Sequence, residues 1–302
     1  MSEVEEVHLR VGEVVLSGLW AAPAGTPRAS ILALHGGGMR ASYFHGSAHP
    51  DLSLLRIGSL LGYQILALDR PGYGASTGLG LPGASIAGQA ALCLEAIEVF
   101  SSGREIGAGW GLVAHSYGMK VAIAMAASSG SSGSSGRPDL LGLDCSGAGI
   151  RFNPEVIPQL GRSDGTLDRR ELFWGPGHLY PPATFRRGSL ALAAVPPVES
   201  QEAPHWPEEF PGFAALVRIP VRYTVAQYER WWEVHPAALD EFRASLARAP
   251  RVQVDVQPGA GHNISLGWSA RPYHLRALAF IDECANLQLT GPSQTDPDPV
   301  GS

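Results

Sequence analysis

The sequence predicts an α/β fold: a mostly parallel, eight-stranded sheet flanked by helices, with one insertion. Three observations carry this. Short strand-like runs alternate with helix-patterned stretches along most of the chain. Several of those runs are almost wholly apolar, as strands buried on both faces of a parallel sheet are. The alternation lapses between about Ile150 and Val217 and then resumes, which marks an inserted segment.

Taken in order, Val4–Arg10 and Val14–Trp20 alternate apolar and polar residues around Gly12, the pattern of an antiparallel hairpin. Ser30–Leu34 is the next strand and runs into His35 and three glycines. Leu52–Leu61 has helical apolar spacing, Gln64–Leu68 is again strand-like, and Ile86–Phe100 has the length and spacing of a helix. Gly111–Ala114 is a strand, followed at once by a small-residue helix from Tyr117 to Ala127, and Leu140–Leu143 is a further strand. The stretch that follows holds prolines, arginines and scattered aromatics (Phe152, Phe173, Trp174, Tyr180, Trp206, Phe210). It is too long for a plain loop in a compact domain. We read 150–217 as a cap inserted into a core of 1–149 and 218–290. Strand Val221–Val225, helix Ala237–Ala249, strand Val252–Val256 and a last helix near Tyr273–Ala285 complete the core. Ser128–Gly136, which repeats Ser-Ser-Gly, is expected to be a flexible surface loop, and the polar, proline-rich tail 291–302 to be disordered.

Composition narrows the functional classes. With 45% apolar and 17% charged residues, the 302-residue chain has the balance of a globular protein that buries a sizeable core. The net charge of −6 is scattered and forms no basic stripe, which argues against a nucleic-acid partner. Cys93, Cys145 and Cys284 make an odd count without metal-ligand spacing, so they read as buried free thiols, and no metal site is expected. The N-terminus is acidic, without an apolar signal segment, and no stretch approaches the length of a membrane span. A cytoplasmic monomer or homodimer with no membrane partner is the expectation. Lys120 is the single lysine among 22 basic residues, a usage typical of high-GC bacterial genomes.

The segment that carries chemistry is Leu112-Val113-Ala114-His115-Ser116-Tyr117-Gly118. An apolar strand feeds a small-x-Ser-x-Gly turn that opens a helix. Such a turn strains the serine backbone, exposes its hydroxyl and tolerates only small residues two positions away on either side. Ala114 and Gly118 meet that requirement. The N-terminus of the following helix also favours negative charge developing beside Ser116.

Three further motifs fall in a matching order. His35-Gly36-Gly37-Gly38 follows the third strand, Asp69-Arg70-Pro71-Gly72-Tyr73-Gly74-Ala75-Ser76 the fourth, and Pro258-Gly259-Ala260-Gly261-His262-Asn263 the last. Together with the serine turn they resemble the α/β-hydrolase family of serine esterases and lipases. The resemblance spans about residues 29 to 265. It departs from the family's usual pattern at Ala114, where glycine is more frequent, and at Met119, where a small residue is usual.

That resemblance implies Ser116 as nucleophile, His262 as base, and an oxyanion hole from the amides of Tyr117 and of Gly37 or Gly38. A good donor of that kind contributes ~3 kcal/mol to transition-state stabilisation. Counting from Pro220, Glu229 falls where the family places its acid; Asp144 and Glu233 compete for the role. Asp69 is implied to be structural. Met39 and His115, flanking the oxyanion loop and the nucleophile, are the candidates for substrate contact, although His115 is usually structural in the family. The implied activity is hydrolysis of a carboxylic ester, lactone or thioester of a small, mostly apolar molecule through an acyl-enzyme, with no cofactor. Arg151, Arg162, Arg186 and Arg187 of the expected cap are candidates to meet an anionic substrate, with a solvated surface as the alternative. C–C bond hydrolysis, lyase or cyclase chemistry with the same residues, and ligand binding without turnover, stay open, since a fold alone does not fix chemistry.

Overall fold

The computed structural model describes residues 3–129, 139–157, 169–186 and 192–289. Eight strands form one sheet: β1 (Glu5–Val11), β2 (Val14–Ala21), β3 (Ser30–Leu34), β4 (Gln64–Leu68), β5 (Trp110–His115), β6 (Leu140–Ser146), β7 (Val221–Tyr228) and β8 (Val252–Gly261), in the order β1-β2-β4-β3-β5-β6-β7-β8. β2 pairs antiparallel with β1 and β4, and every other neighbouring pair is parallel.

Strand alternation splits the core between two faces. Leu32 and Leu34 of β3, Leu66 and Leu68 of β4, and Leu112 and Ala114 of β5 point into one cluster with α2 (Ile86–Ser101) and α3 (Tyr117–Ser129). Ile31, Ala33, Ile65, Ala67 and Val113 point into the other, against α1 (Leu54–Leu60) and a C-terminal helix, Ala270–Leu289. Covering helices on both faces explain why these strands are continuous apolar runs.

Among the described residues, three short α-helices lie between β6 and β7: α4 (Arg169–Trp174), α5 (Pro197–Glu202) and α6 (Trp206–Ala214). The buried Trp206, Phe210 and Ala214 of α6 share the cluster that holds α2 and α3, so this part of the chain between β6 and β7 packs as part of the core layer. α7 (Pro236–Ser245) and the C-terminal helix α8 (Ala270–Leu289) complete the set.

Some bounds differ from those the sequence suggests. β8 runs through Pro258 to Gly261 instead of stopping at Val256; as the edge strand it tolerates a proline that cannot donate. β7 extends to Tyr228, which still pairs with Gly261; the register shift between Ala226 and Tyr228 places the extra residues on β8, between Gln257 and Gly261. All but the first two residues of Ser128–Gly136, the tail 291–302, Arg162 and Arg187 lie outside the described residues. No helix among the described residues is long and apolar enough to cross a membrane.

Candidate active site

The carboxyl ends of β3, β5, β7 and β8 converge, the usual place for a site in an open α/β sheet. β5 ends in Ser116, the single non-glycine with positive φ (54°) among the described residues. A Cβ at Gly118 would fall 2.3 Å from the Leu34 carbonyl oxygen, so only glycine lets α3 start this close to β3. The Ser116 amide donates to the Ser146 carbonyl at 2.7 Å and pins the turn to β6.

His262, at the end of β8, bridges two partners. Its Nε2 is 3.2 Å from Ser116 Oγ and its Nδ1 is 2.8 Å from Glu229 Oε2. The second Glu229 oxygen accepts from the backbone amides of Arg230 (3.1 Å) and Trp231 (2.9 Å). The carboxylate therefore has every partner it needs while shielded from water, its side chain 1% exposed. A turn just after β7, in which the Glu229 amide donates to the Ala226 carbonyl at 3.0 Å, carries the carboxylate to His262.

The competing carboxylates lie elsewhere. Asp144 is buried against Arg222, which also holds Asp255, and burial raises its pKa to about 6. Glu233 pairs with Arg151 near the surface. Asp69 accepts from the Ser17 hydroxyl, the Ala41 amide and Arg40, which ties its turn to β2 and to the chain after β3.

The alpha/beta hydrolase family model matches residues 31–275. The chain belongs to the alpha/beta hydrolase family. Solved structures agree on the fold. A carboxyl esterase from Bacillus coagulans in complex with glycerol superposes with a TM-score of 0.67 at 16% identity, covering 94% of this chain and 100% of the other. A lipase in its open form gives 0.66 at 15%, with 94% and 100% covered. A thermophilic, malate-bound esterase from Thermogutta terrifontis gives 0.57 at 18%, with 93% and 99% covered. A comparison with curated proteins finds no match.

Within this family fold, the other anticipated residues divide by what surrounds them. The amides of Gly37 and Tyr117 have no acceptor among the described residues. The Gly38 amide, by contrast, donates to the Tyr73 hydroxyl at 3.0 Å and is already engaged. His115 is not exposed to substrate: at 1% exposure it stacks on Tyr43, meets His262 edge-on at 4.9 Å and bonds Ser146 through Nδ1. Burial and the neighbouring His262 hold its pKa well below the usual histidine range, so it supports His262 as a neutral ring. Met39, 7% exposed, belongs to the apolar cluster that includes Leu179, Tyr180 and Leu266. Arg151 is taken up by Glu233 and Glu241. Among the described residues no group of three or more His, Cys, Asp or Glu has metal-site geometry.

One part of the site is absent from the sequence reading. Arg70 and Glu199, 0% and 1% exposed, form a buried ion pair joined by Tyr73 and Gln89. A glutamine in the apolar run of α2 was a signal that a polar partner had to meet it there. Glu199, in the polar helix Pro197–Glu202, gave none.

Proposed function

We propose that this chain is a serine hydrolase that cleaves a carboxylic ester, lactone or thioester through an acyl-enzyme, with Ser116, His262 and Glu229 as its triad. The hydrogen-bond chain from Ser116 Oγ through His262 to Glu229 is the observation that carries this reading. Glu229 keeps the proton on Nδ1 and leaves Nε2 as the base facing Ser116. His262 accepts the hydroxyl proton as Ser116 Oγ attacks the carbonyl carbon. The carbonyl oxygen, now anionic, takes hydrogen bonds from the amides of Gly37 and Tyr117. Collapse expels the alcohol or thiol, which leaves with the proton from His262. Water, deprotonated by the same imidazole, then releases the acid and restores Ser116. This route calls for no metal or cofactor.

The wall beside His262 supports an apolar substrate. Phe173 of α4 lies 6.1 Å from the imidazole and 4.9 Å from the Trp231 ring. The Asn263 side chain donates to the Phe173 carbonyl, fixing this part of the proposed cap next to the base. Segment 150–217 is proposed to set specificity.

A fluorophosphonate probe followed by mass spectrometry tests the nucleophile, with modification expected on Ser116 alone. Turnover of a p-nitrophenyl ester series by the parent chain, and its loss in Ser116→Ala, tests the reaction class. A folded chain that takes no label and turns over no ester would refute the assignment.

A further inference from the structure

The oxyanion loop is held from outside the core. His35, at its start, is pinned by Arg70, whose Nε donates to the His35 carbonyl at 2.6 Å and whose amide donates to His35 Nε2 at 3.0 Å. Burial and the Arg70 charge push the His35 pKa down to about 3, so the ring is neutral and Nε2 is free to accept. Gly38, at the loop's end, donates its amide to the Tyr73 hydroxyl at 3.0 Å. The Tyr73 hydroxyl in turn donates to Glu199 Oε2 at 2.7 Å. Arg70 reaches the same carboxylate with two nitrogens, and Gln89 donates to it at 3.0 Å. Both ends of the loop are thus tied to groups that meet on Glu199.

We propose that Glu199 is a positioning residue for the oxyanion loop, so that an insertion-borne carboxylate sets where the Gly37 amide points. The inference rests on the serine-hydrolase reading. A carboxylate can only accept, so it fixes the direction of the Tyr73 O–H and leaves an oxygen lone pair aimed at the Gly38 amide. With Gly38 anchored at one end, His35 at the other and Gly36 buried against Ser116 and His115, Gly37 is the partly exposed amide between them left for substrate. Glu199 belongs to α5, in the insertion and 161 positions beyond Gly38 in the chain. The same segment makes three more attachments. Ala193 donates its amide to the Gly38 carbonyl at 2.9 Å, Glu202 accepts from the Tyr117 hydroxyl at 3.0 Å, and Ala203 accepts from Lys120 at 3.2 Å. Loop and nucleophile turn are therefore both tied to 193–203, and the oxyanion hole takes its working shape only with this segment docked.

The test uses two variants that keep side-chain shape, Tyr73→Phe and Glu199→Gln; Glu199→Gln removes the charge that compensates Arg70 and should also lower the melting temperature, so Tyr73→Phe, which leaves the ion pair intact, is the deciding variant. In steady-state hydrolysis of a p-nitrophenyl ester, each variant is expected to lose about tenfold to a hundredfold in kcat, less than outright deletion of a donor. KM and the pH of half-maximal rate should stay near those of the parent, since neither the pocket nor His262 is touched. The double variant should fall no further than the worse single one, because both act through one hydrogen-bond chain. Thermal melts establish that the compared chains are folded. A folded Tyr73→Phe with parental kcat, or losses that multiply in the double variant, would overturn the role of Glu199 alone. A parent chain that neither labels at Ser116 nor turns over ester would overturn the hydrolase reading, and this inference with it.

Discussion

Glu229 Oε2 lies 2.8 Å from His262 Nδ1, and the other Glu229 oxygen is held by two backbone amides. The carboxylate cannot rotate without breaking three bonds, so it fixes both the tautomer and the tilt of the imidazole. Glu229→Gln keeps the shape, but its amide can present NH₂ to Nδ1 and favour the wrong tautomer. A loss of at least about a hundredfold in kcat is expected in a stopped or continuous ester assay. A rate within threefold of the parent would remove Glu229 from the proposed triad.

Asp144 should behave in the opposite way. It is fully buried with Arg222 as its charge partner and makes no bond to His262, whose Nδ1 is taken by Glu229. Asp144→Asn should cost stability, about 3 kcal/mol, by leaving Arg222 under-compensated. The kcat of the fraction that remains folded should barely change. Urea unfolding alongside active-site titration separates the two quantities.

Gly118→Ala offers a purely steric test of the nucleophile turn. The added methyl would meet backbone oxygens at 2.3 Å and 2.6 Å, belonging to Leu34 and His35, which have no room to yield. A loss of roughly 2 kcal/mol or more is expected, seen as a lowered melting temperature. A variant as stable as the parent would mean that α3 is free to shift away from β3.

Lys120 gives a pH signature. Its ammonium is packed among Tyr117, Trp206 and Trp232, with centroids at 5.2, 5.5 and 5.6 Å, and donates to Ala203. Burial lowers its pKa from 10.5 to about 7, against the opposing pull of Glu199, Glu209 and Glu202 and with a contribution from Arg70. Between those two values the unfolded chain binds the extra proton, so the contribution of Lys120 to stability rises with pH through that window and is flat below it. Relative to Lys120→Met, the parent should gain on the order of 3 kcal/mol between pH 7 and pH 10. Urea midpoints measured in parallel at several pH values check the slope; parallel curves would show that Lys120 keeps an ordinary pKa in the fold.

Where the sequence succeeds, the information is local. The nearly all-apolar Ser30–Leu34 and Gln64–Leu68 are strands over those same residues, because burial on two faces favours a nearly continuous apolar run. Ser116 is legible because a strained strand-to-helix turn admits so few residue types around it. Glu229 was reachable only by counting along a family pattern, since its partner His262 lies 33 positions further on and nothing near Glu229 announces the contact.

The sequence by itself determined the sheet, the strained turn at Ser116 and the order of the motifs, since each depends on neighbours within a few positions. The tertiary structure alone decided which hydrogen-bond partners the site residues have. It spent the Gly38 amide on Tyr73, sank His115 beneath His262 and buried Glu199 against Arg70. The physical reason is desolvation: a buried donor or charge must find its partner wherever the chain brings one, and that partner carries no mark in its own local sequence.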